Sequence, residues 1–272
     1  MKRDSDYIIK QDASGNTITL KDIHDVLLGI LKDIDKVCRK HNIPYWLNGG
    51  SALGAVRHQG FIPWDDDADI AMMREDFERF EKIALQELGQ YAIHSFDIDS
   101  RYNVLIPGMK IRKKDTYIEE VNVLLPNPIK ENNGLFVDVF VYDYVNENKT
   151  NDLLNRLAMY AYAPFIEVGE LMGVNPKPFK KAFMNHARNY GKANQQSKYV
   201  GFDLTWLYKS PLKPFIFKYD DIFPVQYVPF EDTQLPIAAH PHEFLCTAIA
   251  PSYMTLPKEK DRIPKHTKDI RL

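Results

Sequence analysis

Between Lys21 and Lys40 the apolar residues Ile23, Val26, Leu27, Ile30, Ile34, Val37 and Cys38 recur at helical spacing, and Asn42 and Pro44 supply the stop. A helix with one apolar stripe must bury it against another layer, so the chain is committed to a layered core. Pro44-Tyr45-Trp46-Leu47 reads as a short strand running into Asn48-Gly49-Gly50-Ser51, where glycine permits backbone geometry closed to other residues. Ser51 to His58 then reads as a short helix, Gly60 to Pro63 as a turn, and Asp65 to Met72 as a second strand. Phe77, Phe80, Ala84 and Leu88 mark the face of another helix, with Glu75 and Asp76 in its first turn where negative charge suits the dipole. Strand candidates from Met109 to Lys113 and from Leu135 to Tyr142 complete a small mixed sheet.

The character of the chain shifts near residue 146. Leu153 to Leu171 and Phe179 to Tyr190 have helical patterning, whereas Ser210 to Pro236 is rich in proline and aromatics and reads as hairpins and loops. The expected organisation is an α+β fold, with a catalytic core over residues 1–145 and a helical, loop-rich accessory region over residues 146–272 packed on it. At 272 residues the chain can bury a sizeable core without staples. Cys38 and Cys246 lack metal-ligand spacing, so both are expected to be reduced, packed thiols. A formal net charge of -2 offers no global attraction to nucleic acid, and no nucleic-acid partner is expected. The acidic start Asp4-Ser5-Asp6 is unlike a secretory signal. The longest mostly apolar stretch, Leu157 to Ile166, is about half of the ~20 residues a membrane span needs. A cytoplasmic location without a transmembrane segment is expected, compatible with peripheral contact at the inner face of the cell membrane.

In a strand, side chains alternate faces, so Asp67 and Asp69 are expected side by side with Ala68 and Ile70 turned into the core. Two such carboxylates repel unless a divalent cation lies between them, and hard oxygen ligands suit Mg²⁺ or Mn²⁺. An aspartate run is more often just a solvated loop. Here it follows the Gly49-Gly50-Ser51 turn and is embedded in apolar residues, which favours a metal site. Ser51 at a helix start can offer hydroxyl and amide to a phosphate, or serve as a simple cap. Asp138 interrupts the apolar run Leu135-Phe136-Val137-Asp138-Val139-Phe140-Val141, where a carboxylate needs a partner or a metal. Lys110 and Arg112, two apart on a strand, share a face and are candidates for phosphate oxygens or else a solvated strand face; Arg57 and, less so, His58 are candidates for the nucleotide.

The run Asn48-Gly49-Gly50-Ser51-Ala52-Leu53-Gly54-Ala55-Val56-Arg57-His58-Gln59-Gly60-Phe61-Ile62-Pro63-Trp64-Asp65-Asp66-Asp67-Ala68-Asp69-Ile70 resembles the LicD family of phosphocholine transferases, within the nucleotidyltransferase superfamily. The likeness continues through Met73-Arg74-Glu75-Asp76-Phe77, Lys110-Ile111-Arg112-Lys113 and Gly134-Leu135-Phe136-Val137-Asp138-Val139-Phe140, and resumes at Tyr253-Met254-Thr255-Leu256-Pro257 and Arg262-Ile263-Pro264-Lys265-His266. Two departures stand out: Ala250-Pro251-Ser252 replaces the family's tyrosine-glycine, and Lys265-His266 its paired histidines.

The resemblance implies a nucleotidyltransferase-like core of a small mixed β-sheet flanked by helices. It also implies metal-dependent transfer of phosphocholine from CDP-choline to a hydroxyl of a cell-surface glycan precursor, teichoic acid or lipopolysaccharide in type, with release of CMP. On this reading Asp67, Asp69 and Asp138 are catalytic and hold the metal, and Gly49, Gly50, Ser51, Arg57, Lys110 and Arg112 contact nucleotide or phosphate. Alternatives are another CDP-linked donor such as a polyol phosphate, a metal-dependent glycosyltransferase using Asp67-Ala68-Asp69, and a binding module without turnover. Choline would need aromatic faces. Trp206, Tyr208, Phe215, Phe217, Tyr219, Phe223, Tyr227 and Phe230 are candidates, although such clusters are more often packing.

Overall fold

The computed structural model describes residues 2–11, 15–121, 128–202 and 211–272. A short hairpin of β1 (Ile8–Gln11) and β2 (Thr17–Thr19) leads into α1 (Leu20–His41), the amphipathic helix expected from the apolar spacing. Thr19 and Asp22 close its start: the Thr19 amide and hydroxyl both donate to Asp22 Oδ2 at 2.8 Å. Asn42, in the left-handed conformation, ends it. Leu20, Ile23, Leu27, Ile30, Leu31 and Ile34 are completely buried, so truncating any of them to alanine is expected to cost about 2–5 kcal/mol.

β3 (Trp46–Leu47), α2 (Gly49–His58), β4 (Asp69–Met73), α3 (Arg74–Glu87) and β5 (Tyr91–Ser95) follow the expected alternation. Next come β6 (Met109–Lys113), β7 (Tyr117–Glu120) and β8 (Phe136–Tyr144). β8 is the spine of the main sheet. β4 runs parallel along one side of it, β6 runs antiparallel along the first half of the other side, and β3 and β5 extend the sheet beyond these. This is the mixed sheet flanked by helices that the sequence led one to expect.

Beyond β8 come α4 (Lys149–Tyr160), α5 (Ala163–Leu171) and α6 (Lys177–Ala193). The single helical stretch expected from Leu153 to Leu171 is thus two helices: Pro164 has no N–H to donate to the carbonyl of Tyr160, and the chain turns at Ala161-Tyr162. β9 (Tyr199–Phe202) joins the second half of β8 and β10 (Ile216–Lys218) pairs with β9, which gives a sheet of seven strands among the described residues. Within the stretch read as hairpins and loops, α7 (Tyr219–Ile222) is a helical turn, whereas β11 (Gln226–Phe230) and β12 (Thr233–Ile237) form the expected hairpin. The chain closes with α8 (Pro241–Ala248) and β13 (Thr267–Arg271), which pairs with β7 and so returns the C-terminal segment to the edge of the site. Cys38 is buried and Cys246 half-buried, and both are free thiols.

Candidate active site

The start of α2 meets the start of β4 at close range. Gly49 lies at φ +49°, and a Cβ there would stand 2.9 Å from Asp69 Oδ2; a Cβ on Gly50 would stand 2.5 Å from Asp65 Oδ2. Both are closer than side-chain carbons normally approach, so the glycines make room for two carboxylates. They form the first turn of the helix, which begins two residues earlier than the spacing indicated. Ser51 is buried, and its Oγ accepts the Asp69 N–H at 2.9 Å. It ties helix to strand and does not cap the helix. The Asn48 amide donates to the Asp69 carbonyl at 3.0 Å, and Asn48 Oδ1 accepts from Tyr142 Oη at 3.0 Å, so both sides of the glycine turn are pinned.

β4 begins only at Asp69, four residues later than expected, and Asp67 lies in the preceding loop. Bonds to two of its residues draw that loop out of the ladder. His24 Nε2 donates to the Asp65 carbonyl at 2.7 Å, and the buried Asp66 carboxylate accepts backbone N–H bonds from Lys265, His266 and Thr267 at 2.6–3.1 Å. Strict strand alternation therefore does not place Asp67; the loop does, and its charge still bears on Asp69. Asp65, with no role foreseen from the sequence, stands beside Asp67, and after burial the Asp67 charge is the largest influence raising its carboxyl.

Across the sheet, register does the rest. Asp69 on β4 pairs with Asp138 on β8, and Asp138 pairs with Lys110 on β6, so the three side chains stand in one row on one face. Lys110 Nζ lies 3.0 Å from Asp138 Oδ1 and 3.1 Å from Glu120 Oε2. Arg112 is 1 % exposed; it donates to Glu120 Oε1 at 2.8 Å and to the Gly134 carbonyl at 2.9 Å. Neither cation lies on a solvated strand face. Glu120, which no local pattern singled out, is the shared anchor of both. Asp143, the other acid on β8, is buried against Arg74, which grips it with two bonds at 2.7 and 2.5 Å, and it has no part in the row.

The electrostatics report the crowding. Burial, then Asp67, Asp138 and Asp65, hold the Asp69 carboxyl well above the usual carboxylate range. Burial likewise raises Asp65 well above it, helped by Asp67 and Asp66. Asp138 is pushed up to about 6, burial and Glu120 raising it against the pull of Lys110. Glu120 goes the other way, to about 2: burial alone would raise it, but Lys110 and Arg112 outweigh that. Asp65, Asp67 and Asp69, all raised by burial and crowding, are a donor set suited to a hard divalent cation, which removes the conflict. Among the described residues, ligand atoms of Asp65, Asp66 and His266 close to within 4.8 Å of one another, whereas Asp138 is turned to Lys110. Asp66 already accepts from three backbone amides, which leaves Asp65, Asp67 and Asp69 as the carboxylates with oxygens to offer.

Arg57 and His58 end α2 and face Trp64. Among the described residues the aromatic candidates do not gather as a cage. Phe217 and Phe230 are buried in the core, Tyr219 stacks on Phe223, and the Arg39 guanidinium lies over the Tyr227 ring at 3.8 Å. Phe215 packs against the core from its edge, and Trp206 and Tyr208 lie outside the described residues.

Residues 42–165 match the family model described as LicD/FKTN/FKRP, nucleotidyltransferase domain. The chain is 26 % identical over 266 residues to the lipopolysaccharide cholinephosphotransferase LicD of Haemophilus influenzae, covering 93 % of this chain and 97 % of that protein. A 47-residue stretch is 47 % identical to the human ribitol 5-phosphate transferase FKRP, covering 17 % of this chain and 10 % of that protein. A similar local likeness, 27 % over 88 residues, links it to the mouse ribitol-5-phosphate transferase FKTN, over 32 % of this chain and 19 % of that protein. Among the described residues no helix is long and apolar enough to cross a membrane.

Proposed function

The chain carries a LicD-family domain and is a transferase of phosphate-bearing groups, and from that premise we propose that it moves phosphocholine from CDP-choline to a hydroxyl of a cell-surface glycan precursor. The observation that carries this reading is the crowd of Asp65, Asp67, Asp69 and Asp138 around the glycine turn, in a chain similar over nearly its full length to a cholinephosphotransferase. Asp67 and Asp69, with Asp65 beside them, would hold Mg²⁺ or Mn²⁺; the ion would neutralise the diphosphate and the leaving oxygen.

The chain's own residues do the remaining work. The acceptor oxygen bonds to the phosphorus that bears choline, the bond from that phosphorus to the bridging oxygen breaks, and CMP leaves with the bonding pair. Asp138, poised at about 6, takes the proton of the attacking hydroxyl. Lys110 stabilises the Asp138 carboxylate before transfer, and Glu120 with Arg112 fixes where the ammonium stands. Gly49 and Gly50 leave space for the carboxylates, and Ser51 locks β4 to the helix start. Of the described aromatic candidates after residue 210, Phe215, Phe217 and Phe230 pack in or against the core, Tyr219 stacks on Phe223, and the half-exposed Tyr227 ring is covered by Arg39.

The acceptor side is supported by α5: with Ile166 and Glu170 buried, the latter against Lys180, its Phe165, Val168 and Leu171 are exposed, as are Lys177 and Lys181 on the next helix. Such a face suits peripheral contact with an anionic bilayer that carries a lipid-linked acceptor. The local likeness to ribitol phosphate transferases favours a second donor class, a CDP-linked polyol phosphate. Mass spectrometry of products formed from CDP-choline, CDP-ethanolamine, CDP-ribitol and CDP-glycerol separates these readings. Phosphocholine on the acceptor and CMP in solution are expected from the first donor, and polyol phosphate transfer alone would overturn the choline assignment.

A further inference from the structure

Arg57 comes from the end of α2 and Arg262 from a loop close to the C-terminus, yet both guanidinium groups stand against one indole. Their carbons lie 5.8 Å and 5.4 Å from the ring centroid of Trp64, which is itself 8 % exposed. Both arginines are half-buried, and among the described residues neither has a carboxylate within 4 Å. Their partners are neutral. Arg57 donates through Nε to His58 Nε2 and through Nη1 to the Tyr253 carbonyl, each at 3.0 Å, and Arg262 donates through Nε to the Pro257 carbonyl at 2.9 Å. These bonds fix the planes of both guanidiniums but cancel neither charge.

Two cations on one buried indole, partly out of water, disfavour each other's charge unless an anion joins them: burial and then Arg262 disfavour the charged form of Arg57. The pair sits at the rim of the carboxylate site. Asp65 acts on Arg57 in the favourable sense, and Asp66 clamps residues 265–267, just past Arg262, to the loop that carries the metal-type acids. Guanidinium forks match phosphate oxygens in pairs, so an anion spanning both forks would be a diphosphate or one phosphate gripped from two sides.

We propose that Arg57 and Arg262, spaced by Trp64, form the site that grips the diphosphate of the nucleotide-linked donor. The inference rests on the donor reading above and adds Arg262 and Trp64 to it. The His58 ring, edge-on to Trp64 at 6.0 Å, completes the frame as an acceptor that orients Arg57.

The test is calorimetric titration of the full chain with CDP, inorganic pyrophosphate and cytidine in Mg²⁺ buffer, for wild type, Arg262→Gln and Arg262→Lys. Arg262→Gln is expected to weaken CDP and pyrophosphate binding about tenfold or more with cytidine binding unchanged, and Arg262→Lys to recover part of the loss. Pyrophosphate should also change tryptophan fluorescence in the wild type, and Trp64→Phe should abolish the change, which keeps the test open if Arg262→Gln fails to fold. Unchanged CDP and pyrophosphate affinity in a folded Arg262→Gln chain, or a pyrophosphate response that survives Trp64→Phe, overturns the site. Diphosphate binding that needs Arg262 without any phosphocholine transfer would sink the donor reading and leave the anion site standing.

Discussion

Replacing Gly50 by alanine is expected to separate stability from activity. The added Cβ would lie 2.5 Å from Asp65 Oδ2, and ordinary contact begins near 3.4 Å, so the carboxylate must retreat by about 0.9 Å (3.4 − 2.5). Gly50 has no positive φ, so alanine fits the backbone, and in a helical position it gains up to about 1 kcal/mol over glycine. The displaced group is the free end of an aspartate, which moves at little expense to the fold. The site is less tolerant. Displacements near 1 Å at a reacting centre cost on the order of 10²-fold in rate, and disturbed metal surroundings cost about 10–100-fold in affinity. Gly50→Ala should therefore hold or raise the melting temperature, bind Mn²⁺ at least about tenfold more weakly by calorimetry, and lose about 10²-fold in kcat/KM. Wild-type Mn²⁺ affinity and rate in Gly50→Ala would refute the argument that the glycine exists to admit Asp65.

Asp138→Asn should cost at least about 10²-fold in transfer rate with the fold intact; a lowered melting temperature at unchanged rate would instead make Asp138 a partner for Lys110 alone. Glu120 has its pKa depressed to about 2 by Lys110 and Arg112 against burial, so its contribution is full above the ordinary value near 4.5 and is lost as pH falls toward 2. The stability advantage of wild type over Glu120→Gln, on the order of 3 kcal/mol at pH 6, should shrink through that window in urea titrations; a pH-independent gap would contradict the pairing. Asp66→Ala removes the acceptor for three backbone amides and should lower stability by about 3 kcal/mol while speeding proteolysis between residues 258 and 266, and equal cleavage of both chains would show that the clamp holds nothing.

The sequence alone determined the parts of this protein that depend on near neighbours. The apolar stripe of α1, the glycine turn, the strand interrupted by Asp138 and the later hairpin follow from periodicity, residue chemistry and spacing, each acting within a dozen residues. The aspartates and glycines were legible together because the same short run of chain carries both. Tertiary structure decided what those groups touch. Asp65 matters through its approach to Gly50, and Asp66 through amides about 200 positions away. Lys110 and Arg112 read as one shared face, open to phosphate or to solvent, but Glu120 arrives from β7 and pairs with both. β7 is itself held by β13 at the far end of the chain. Such contacts depend on strand register and on closing long loops, and neither leaves a local period in the sequence. For the same reason the pairing of Arg57 with Arg262 across Trp64 exists only in the folded chain: no spacing along the sequence relates two residues that one buried indole brings together.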